Sequence, residues 1–509
     1  RLLLALPFAV ALALEPAPRA GARLAAGSEN PLPSSPQVAA ATKVPLPAAA
    51  PATPRPALAA ALATETASAL RSASELSVEV IEVESGAPIY SYLADVPRVL
   101  ASNTKLLTTA AALDSFGTGY LFETRLVSRG RVRNGVLHGD LGVVGGGDPN
   151  ISGRDWAGDS YGVFREWARE FTARGVREID GDLFLADGLF AGAKVHPDWP
   201  SNQLGSWYEA PVDALSFNDN CILVRVHPGE RAGDAAIIEL VPNLPILTIS
   251  NSAKTSAKGR TQVAVDRDGG VLRITGTIAR GLASFDTWIT VPDPAAYFGA
   301  ALVDAFREQG IHVRGKIQVV ERLPGPVWER IASYRSDLLT AVQVANKRSQ
   351  NFYAESLIKL LGAHNCGEGS WRGGTRAVRE FLRGVGVPPE SVRLADGSGM
   401  SRANSLPARE MVRLLRHMWF HAAGPEFVRS LPYGGERVGS WRHRLATPPY
   451  QGNVFAKTGT LSDVSALSGY ARATSGKVYA FSILGNRAVN TSGARDAQDR
   501  LVRAIVDFG

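Results

Sequence analysis

The sequence predicts a mixed α/β (α+β) fold: an antiparallel sheet covered by helices, interrupted by inserted β-rich domains. Three observations predict it. First, a chain of 509 residues is too long for one ordinary core. Second, strand-like alternation and helical apolar spacing both occur near each end of the chain. Third, the texture changes between about 122 and 315 to short β-like runs separated by glycine turns, with one clear helix at Pro294–Gln309.

Taken in order, Leu2 to Leu14 is nearly all apolar, and Ala11-Leu12-Ala13 and Ala20-Gly21-Ala22 offer small-residue cleavage sites. Residues 1–22 therefore read as a secretory signal, whose apolar stretch from Leu2 to Leu14 is too short to span a bilayer comfortably at the ~20 residues required. Residues 23–57, rich in Pro and Ala, read as a semi-extended linker. A helix is expected over 58–72. Leu76–Val83 alternates as a strand, Ser85-Gly86 turns, and Ile89–Leu93 returns. Lys105–Leu113 places Leu106, Ala110 and Leu113 on one stripe and ends before Gly117, as a helix does.

Beyond the insert, Leu338 to Leu361 reads as one long helix carrying Ser349 and Asn351. Further helices are expected at Thr375–Arg383, Ala408–His421 and Arg495–Phe508. Val464–Ala473 and Lys477–Leu484 form a hairpin around Ser475-Gly476. Residues 58–121 with 316–509 are expected to form one domain, and about 122–315 an inserted, β-rich unit.

The formal charge of +7 suits an anionic polymer or surface. No basic stripe is interleaved with aromatics, which argues against nucleic acid. Cys221 and Cys366 are too few for a disulfide framework and form no C-x-x-C, so both are expected to be small buried residues.

Three short elements carry the chemistry: Ser102-Asn103-Thr104-Lys105, Ser349-Gln350-Asn351 and Lys457-Thr458-Gly459. A serine hydroxyl needs a neighbouring base to attack a carbonyl. At i and i+3 on a helix, Ser102 and Lys105 share a face, and a helix start lends Ser102 its free N–H groups and dipole. Lysine is a poor base at its free pKa of ~10.4, so it must be desolvated or face another cation; Lys457 offers that cation. Ser349 supplies a hydroxyl for proton relay and Asn351 an amide. Lys457–Thr460 suggests an exposed strand edge that pairs with an extended peptide, with Gly459 clearing space where substrate approaches. Each element alone has an ordinary structural explanation. Ser is a common N-cap, and the Ser-x-x-Lys spacing recurs at Ser356 and Lys359 within a helix. His417 and His421 stand at i and i+4, but Met418 occupies the place where H-E-x-x-H needs Glu; they are read as packed histidines.

Together the three elements, with Gly145-Gly-Gly-Asp-Pro149, Ala214–Asn220 and Asp396–Asn404, resemble the peptidase S13 family of low-molecular-mass penicillin-binding proteins. These are D-alanyl-D-alanine carboxypeptidase/endopeptidases, and their motifs S-x-x-K, S-D-N and K-T-G carry the match. The resemblance covers about 58–509. It implies a penicillin-binding/serine β-lactamase-like catalytic domain, an insert of 122–150 with 227–315, a second domain nested within that insert at 151–226, no metal and no cofactor. It also implies Ser102 as the acylated nucleophile, Lys105 as its base and Ser349 as proton relay. Asn351, Lys457, Thr458, Gly459 and Thr460 would bind substrate, with the backbone N–H groups of Ser102 and Thr460 as oxyanion hole. Peptidoglycan stem peptides are the implied substrates, β-lactam antibiotics the inhibitors and the periplasm the location. The family usually reads Ser-Asp-Asn; Gln350 replaces the acid, which puts a hydrogen bond orienting that helix in question.

Two other readings stay open at this point. A serine β-lactamase must deacylate fast, yet there is no E-x-x-L-N loop, and the gap from Ser102 to Ser349 is wide for a compact lactamase. A non-catalytic wall-binding protein of the same fold finds its only hint in Gln350.

Overall fold

The computed structural model describes residues 55–509; the signal-like segment and nearly all of the linker lie outside the described residues. The chain forms two compact units. One comprises 122–189 and 193–336; the other comprises 55–121, 190–192 and 337–509.

The second unit is built on a five-stranded antiparallel sheet. Its order is Val454–Leu461, Val464–Arg472, Val478–Ala488, Ala73–Glu82 and Pro88–Tyr92. The Val464–Arg472 strand is buried through Ala471 on both faces, so the sheet is covered on both sides. Leu58 and Leu62 of the Pro56–Ala69 helix and Leu501, Val502 and Ile505 of the Thr491–Phe508 helix join Val78, Val80, Phe481 and Ile483 in one core. The first helix starts at Pro56, inside the range read as linker, because proline suits the first helical position. On another strand of the sheet, the Tyr470 hydroxyl donates to the Leu415 carbonyl at 2.7 Å, tying in the Ala408–Phe420 helix.

Val454–Leu461 stands at the edge of this sheet, as the Lys-Thr-Gly segment suggested. The Thr104–Phe116 helix is buried almost all round. Two of its buried hydroxyls bond to backbone carbonyls: Thr108 Oγ1 donates to Gly397 O and Thr109 Oγ1 to Lys105 O.

The long helix expected at 338–361 is two helices, Leu338–Lys347 and Asn351–Cys366. Ser349 breaks it with φ of 54°, a left-handed conformation that costs a non-glycine residue about 1 kcal/mol or more. Gln350 then adopts an extended conformation as the N-cap residue of the second helix. Apolar spacing continues across the break, which hid it. Cys221 is buried as expected; Cys366 is only partly buried, its sulfur accepting from Arg376 Nε at 3.2 Å.

The other unit carries a seven-stranded mixed sheet, a four-stranded sheet and a three-stranded sheet. The strand Glu329–Asp337 pairs in the seven-stranded sheet. One core holds Trp167, Phe217, Phe298 and Ile274 together. The glycines at 145–146 belong to this framework: a Cβ at Gly145 would lie 2.7 Å from Ala214 O, and one at Gly146 2.3 Å from Glu123 O. Asn220 likewise serves structure, accepting from Phe217 N and donating to Pro211 O. Among the described residues no helix is long and apolar enough to cross a membrane.

Candidate active site

Three segments of the sheet-bearing unit converge. Ala101–Asn103 forms a tight 3-10 turn leading into the Thr104–Phe116 helix. Ser102 therefore sits in that turn, two residues before the α-helix expected to begin at it. Ala101 just before it has φ of 46°, so this turn, like the one at Ser349, stores backbone strain, a feature that clusters at functional sites.

Lys105 is fully buried, and its Nζ makes three contacts. It lies 3.0 Å from Ser102 Oγ, 2.6 Å from Asn351 Oδ1 and 2.9 Å from the Ser398 carbonyl. Three acceptors match the three protons of an ammonium. Burial pulls its pKa down to about 7, with Glu355 and Asp396 opposing. The proton can therefore leave near neutral pH, which a general base requires.

Lys457 is also fully buried. Its Nζ donates to Ser349 Oγ and to the Thr458 carbonyl, both at 2.8 Å. Burial first and the Lys105 cation second hold its pKa well below the ordinary lysine value. The charge of Lys105 thus bears on Lys457, whereas the fall at Lys105 itself, which the sequence ascribed to a neighbouring cation or to desolvation, comes from burial. Thr458 is partly exposed and Thr460 exposed along the same edge.

Gly459 has a reason the sequence did not reveal. A Cβ there would lie 2.6 Å from Leu100 O and 3.1 Å from the amides of Ser102 and Asn103. The missing side chain admits the turn that carries Ser102, rather than a ligand. Asn103 clamps the same junction, donating to Lys457 O at 2.9 Å.

The Asp396–Asn404 loop closes the site from below. Asp396 accepts from the amides of Gly399 and Ser401 and from Asn404 Nδ2, at 2.8, 2.6 and 2.6 Å. Gly399, with φ of +86°, packs against Ala101: a Cβ would meet its carbonyl at 1.8 Å. Sequence reasoning named this loop but not its role, and missed Glu355, the buried acid beneath it. The signal was available: a carboxylate among Ala354, Leu357 and Ile358 on a buried helix face.

The second Ser-x-x-Lys pair is different. Ser356 Oγ donates to Phe352 O within its helix, and Lys359 lies 4.1 Å over the Trp371 ring. Its hydroxyl is committed to the backbone. His417, His421 and Asp114 lie within 4.8 Å of one another, close enough to consider a metal ion. However, the Ala423 amide donates to His421 Nδ1 at 3.1 Å, while His421 Nε2 stands 3.3 Å from Asp114. The proton of the neutral ring then sits on Nε2, facing the carboxylate, and occupies the lone pair a metal would need.

A serine held on a desolvated lysine three residues on, a second Ser–Lys pair and a strand edge, on an antiparallel sheet covered on both faces, fit a serine hydrolase of the penicillin-binding/β-lactamase-like fold. Residues 58–506 match the D-Ala-D-Ala carboxypeptidase 3 (S13) family, and the chain belongs to that family. It is 33% identical over 427 residues to a D-alanyl-D-alanine carboxypeptidase of Actinomadura sp. strain R39, covering 80% of this chain and 77% of that protein. It is 27% identical over 418 residues to the D-alanyl-D-alanine carboxypeptidase DacB of Haemophilus influenzae, covering 80% and 84%. The crystal structure of penicillin-binding protein 4 from H. influenzae superposes with a TM-score of 0.74 at 24% identity, covering 86% of this chain and 99% of that one.

Proposed function

We propose that this chain is a DD-peptidase in which Ser102 attacks the carbonyl of the terminal D-Ala-D-Ala bond of peptidoglycan stem peptides. The observation that carries this reading is the 3.0 Å contact between Ser102 Oγ and the Nζ of a fully buried Lys105. Neutral Lys105 takes the hydroxyl proton as the Oγ–C bond forms. The oxyanion is held by the backbone N–H groups of Ser102 and Thr460; the edge strand passes so close to the first that a Cβ on Gly459 would lie 3.1 Å from the Ser102 amide. Collapse breaks the C–N bond, and Ser349, hydrogen-bonded to Lys457, passes a proton to the leaving D-alanine amine. The proton that Lys105 took is relayed to Ser349 to replace the one it gave, so Lys105 is neutral again; it then takes a proton from the water that attacks the acyl-enzyme and returns it to Ser102 Oγ as the ester bond breaks.

Asn351 holds the substrate amide and steadies Lys105. The substrate's terminal carboxylate lies along the edge strand against Thr458 and Thr460, with the positive charge of Lys457 behind them. A β-lactam enters as a mimic of the peptide and leaves slowly. Hydrolysis of cross-links uses the same acyl step with a longer leaving group. Such substrates place the enzyme outside the cytoplasmic membrane, in the periplasm. Incubation with defined muropeptides followed by mass spectrometry tests this: the reading requires loss of one D-alanine from pentapeptide. Unchanged pentapeptide would refute it.

A further inference from the structure

Glu355 has no part in the acyl-transfer steps, yet it is completely buried beside them. It lies one turn beyond Asn351 on the Asn351–Cys366 helix, at i+4 and therefore on the same face. Its carboxylate accepts three hydrogen bonds: from Ser398 N at 2.7 Å, Gly397 N at 3.0 Å and Trp371 Nε1 at 2.7 Å. Three N–H donors favour the charged form of this carboxylate, although burial and then Asp396 outweigh them and leave its pKa raised, at about 7. Two of its donors are the amides of the loop whose Ser398 carbonyl accepts from Lys105 at 2.9 Å. Asn351 supplies another Lys105 acceptor, so one helix face sets two of the three contacts of that ammonium.

We infer that Glu355 is a positioning residue of the reaction, fixing the Ser398 carbonyl on Lys105 and setting a negative charge against the general base. The inference rests on the reading of Lys105 as that base. The charged groups facing Lys105 are Glu355 from the helix, Asp396 from the loop and Lys457 from the edge strand; burial lowers its pKa and the two carboxylates raise it, while its own charge lowers that of Lys457. Glu355 in turn faces Asp396, which with burial pushes its own pKa up, while its three N–H donors pull it down. Lys359 stands one turn further along the same helix, its charge over the ring of Trp371. Glu355 therefore works against the desolvation of Lys105. Without it, the amine of Lys105 would bind a proton less tightly and be a weaker base toward the Ser102 hydroxyl.

The test is the pH profile of acylation by a fluorescent penicillin, followed across about pH 5 to 9. Removing the charge in Glu355→Gln lowers the proton affinity of Lys105, so the acid limb moves to lower pH by about one unit. The plateau rate falls because an amide N–H then faces a loop N–H. Trp371→Phe keeps the ring under Lys359 but removes one donor, so the limb moves in the same direction by less. Glu355→Asp keeps the charge, so its limb returns toward wild type while its plateau stays low. A merely structural role would change the plateau and leave the limb in place. A labelled wild type whose Glu355→Gln and Trp371→Phe variants keep its acid limb overturns this inference alone. A wild type that is never labelled overturns the reading of Lys105 and this inference with it. If Glu355→Gln does not fold, Trp371→Phe decides by its limb.

Discussion

The Lys457 ammonium donates to the Ser349 hydroxyl across 2.8 Å, joining a sheet edge to the break between two helices. The contact exists because Ser349 is left-handed, at φ 54°; a continuous helix there would carry the hydroxyl elsewhere. This pair is what makes Ser349 a candidate proton donor to the leaving amine. Ser349→Ala should therefore lower D-alanine release by about 10²-fold or more with an unchanged circular dichroism spectrum. A rate within a factor of about two of wild type would remove Ser349 from the scheme.

The acylation rate should rise with pH through about 7, the value to which burial brings Lys105. The sign follows from its role: below that value the ammonium has no lone pair to accept the Ser102 proton, and above it the free amine does. Lys105→Met should abolish the rise along with the rate, and it should also destabilise the fold by about 3–5 kcal/mol, since Asn351 Oδ1, the Ser398 carbonyl and the facing carboxylates Glu355 and Asp396 lose their cation. Stopped-flow measurement of penicillin acylation reads the rise and the rate, and a denaturant melt the stability.

Gln350 is the N-cap residue of the Asn351–Cys366 helix, yet its side chain makes no capping hydrogen bond. Aspartate is among the preferred N-caps, and a good cap is worth about 1 kcal/mol. Gln350→Asp should raise the thermal midpoint and leave acylation within a few-fold. A lower midpoint would mean that the residue's other surroundings outweigh the cap.

Gly459→Ala sets a Cβ 2.6 Å from the Leu100 carbonyl. Neither neighbour is a flexible side chain, so the turn bearing Ser102 must move. The expected cost is about 1–3 kcal/mol of stability, together with slower acylation, since a displacement of about 1 Å is enough to cost about 10²-fold. Denaturant melts and labelling kinetics on the same sample separate the two effects.

Much of this site was legible in the sequence because the chemistry constrains residue types at short spacing. Ser102 and Lys105 are three residues apart, and Lys457 to Thr460 alternates along one strand. The antiparallel hairpin at the chain's end and the helices either side were equally plain, from period and turn residues. What was hidden lies in tertiary placement. Nothing near Ser349 (no glycine, no proline) announces the helix break, because the buried face of Val344, Ala345, Phe352 and Tyr353 keeps its spacing across it. Gly459 looked like clearance for a ligand until the Leu100–Asn103 turn was seen against it. Glu355 looked like an ordinary helical acid, since only the fold brings the amides of Gly397 and Ser398 to its carboxylate.

The most direct test of the central claim is covalent trapping. The enzyme is incubated with benzylpenicillin, digested, and the adduct mapped by mass spectrometry. One penicilloyl group should appear on the peptide containing Ser102, and none in Ser102→Ala. An adduct on any other residue, or equal labelling of the two proteins, would contradict the assignment of Ser102 as nucleophile.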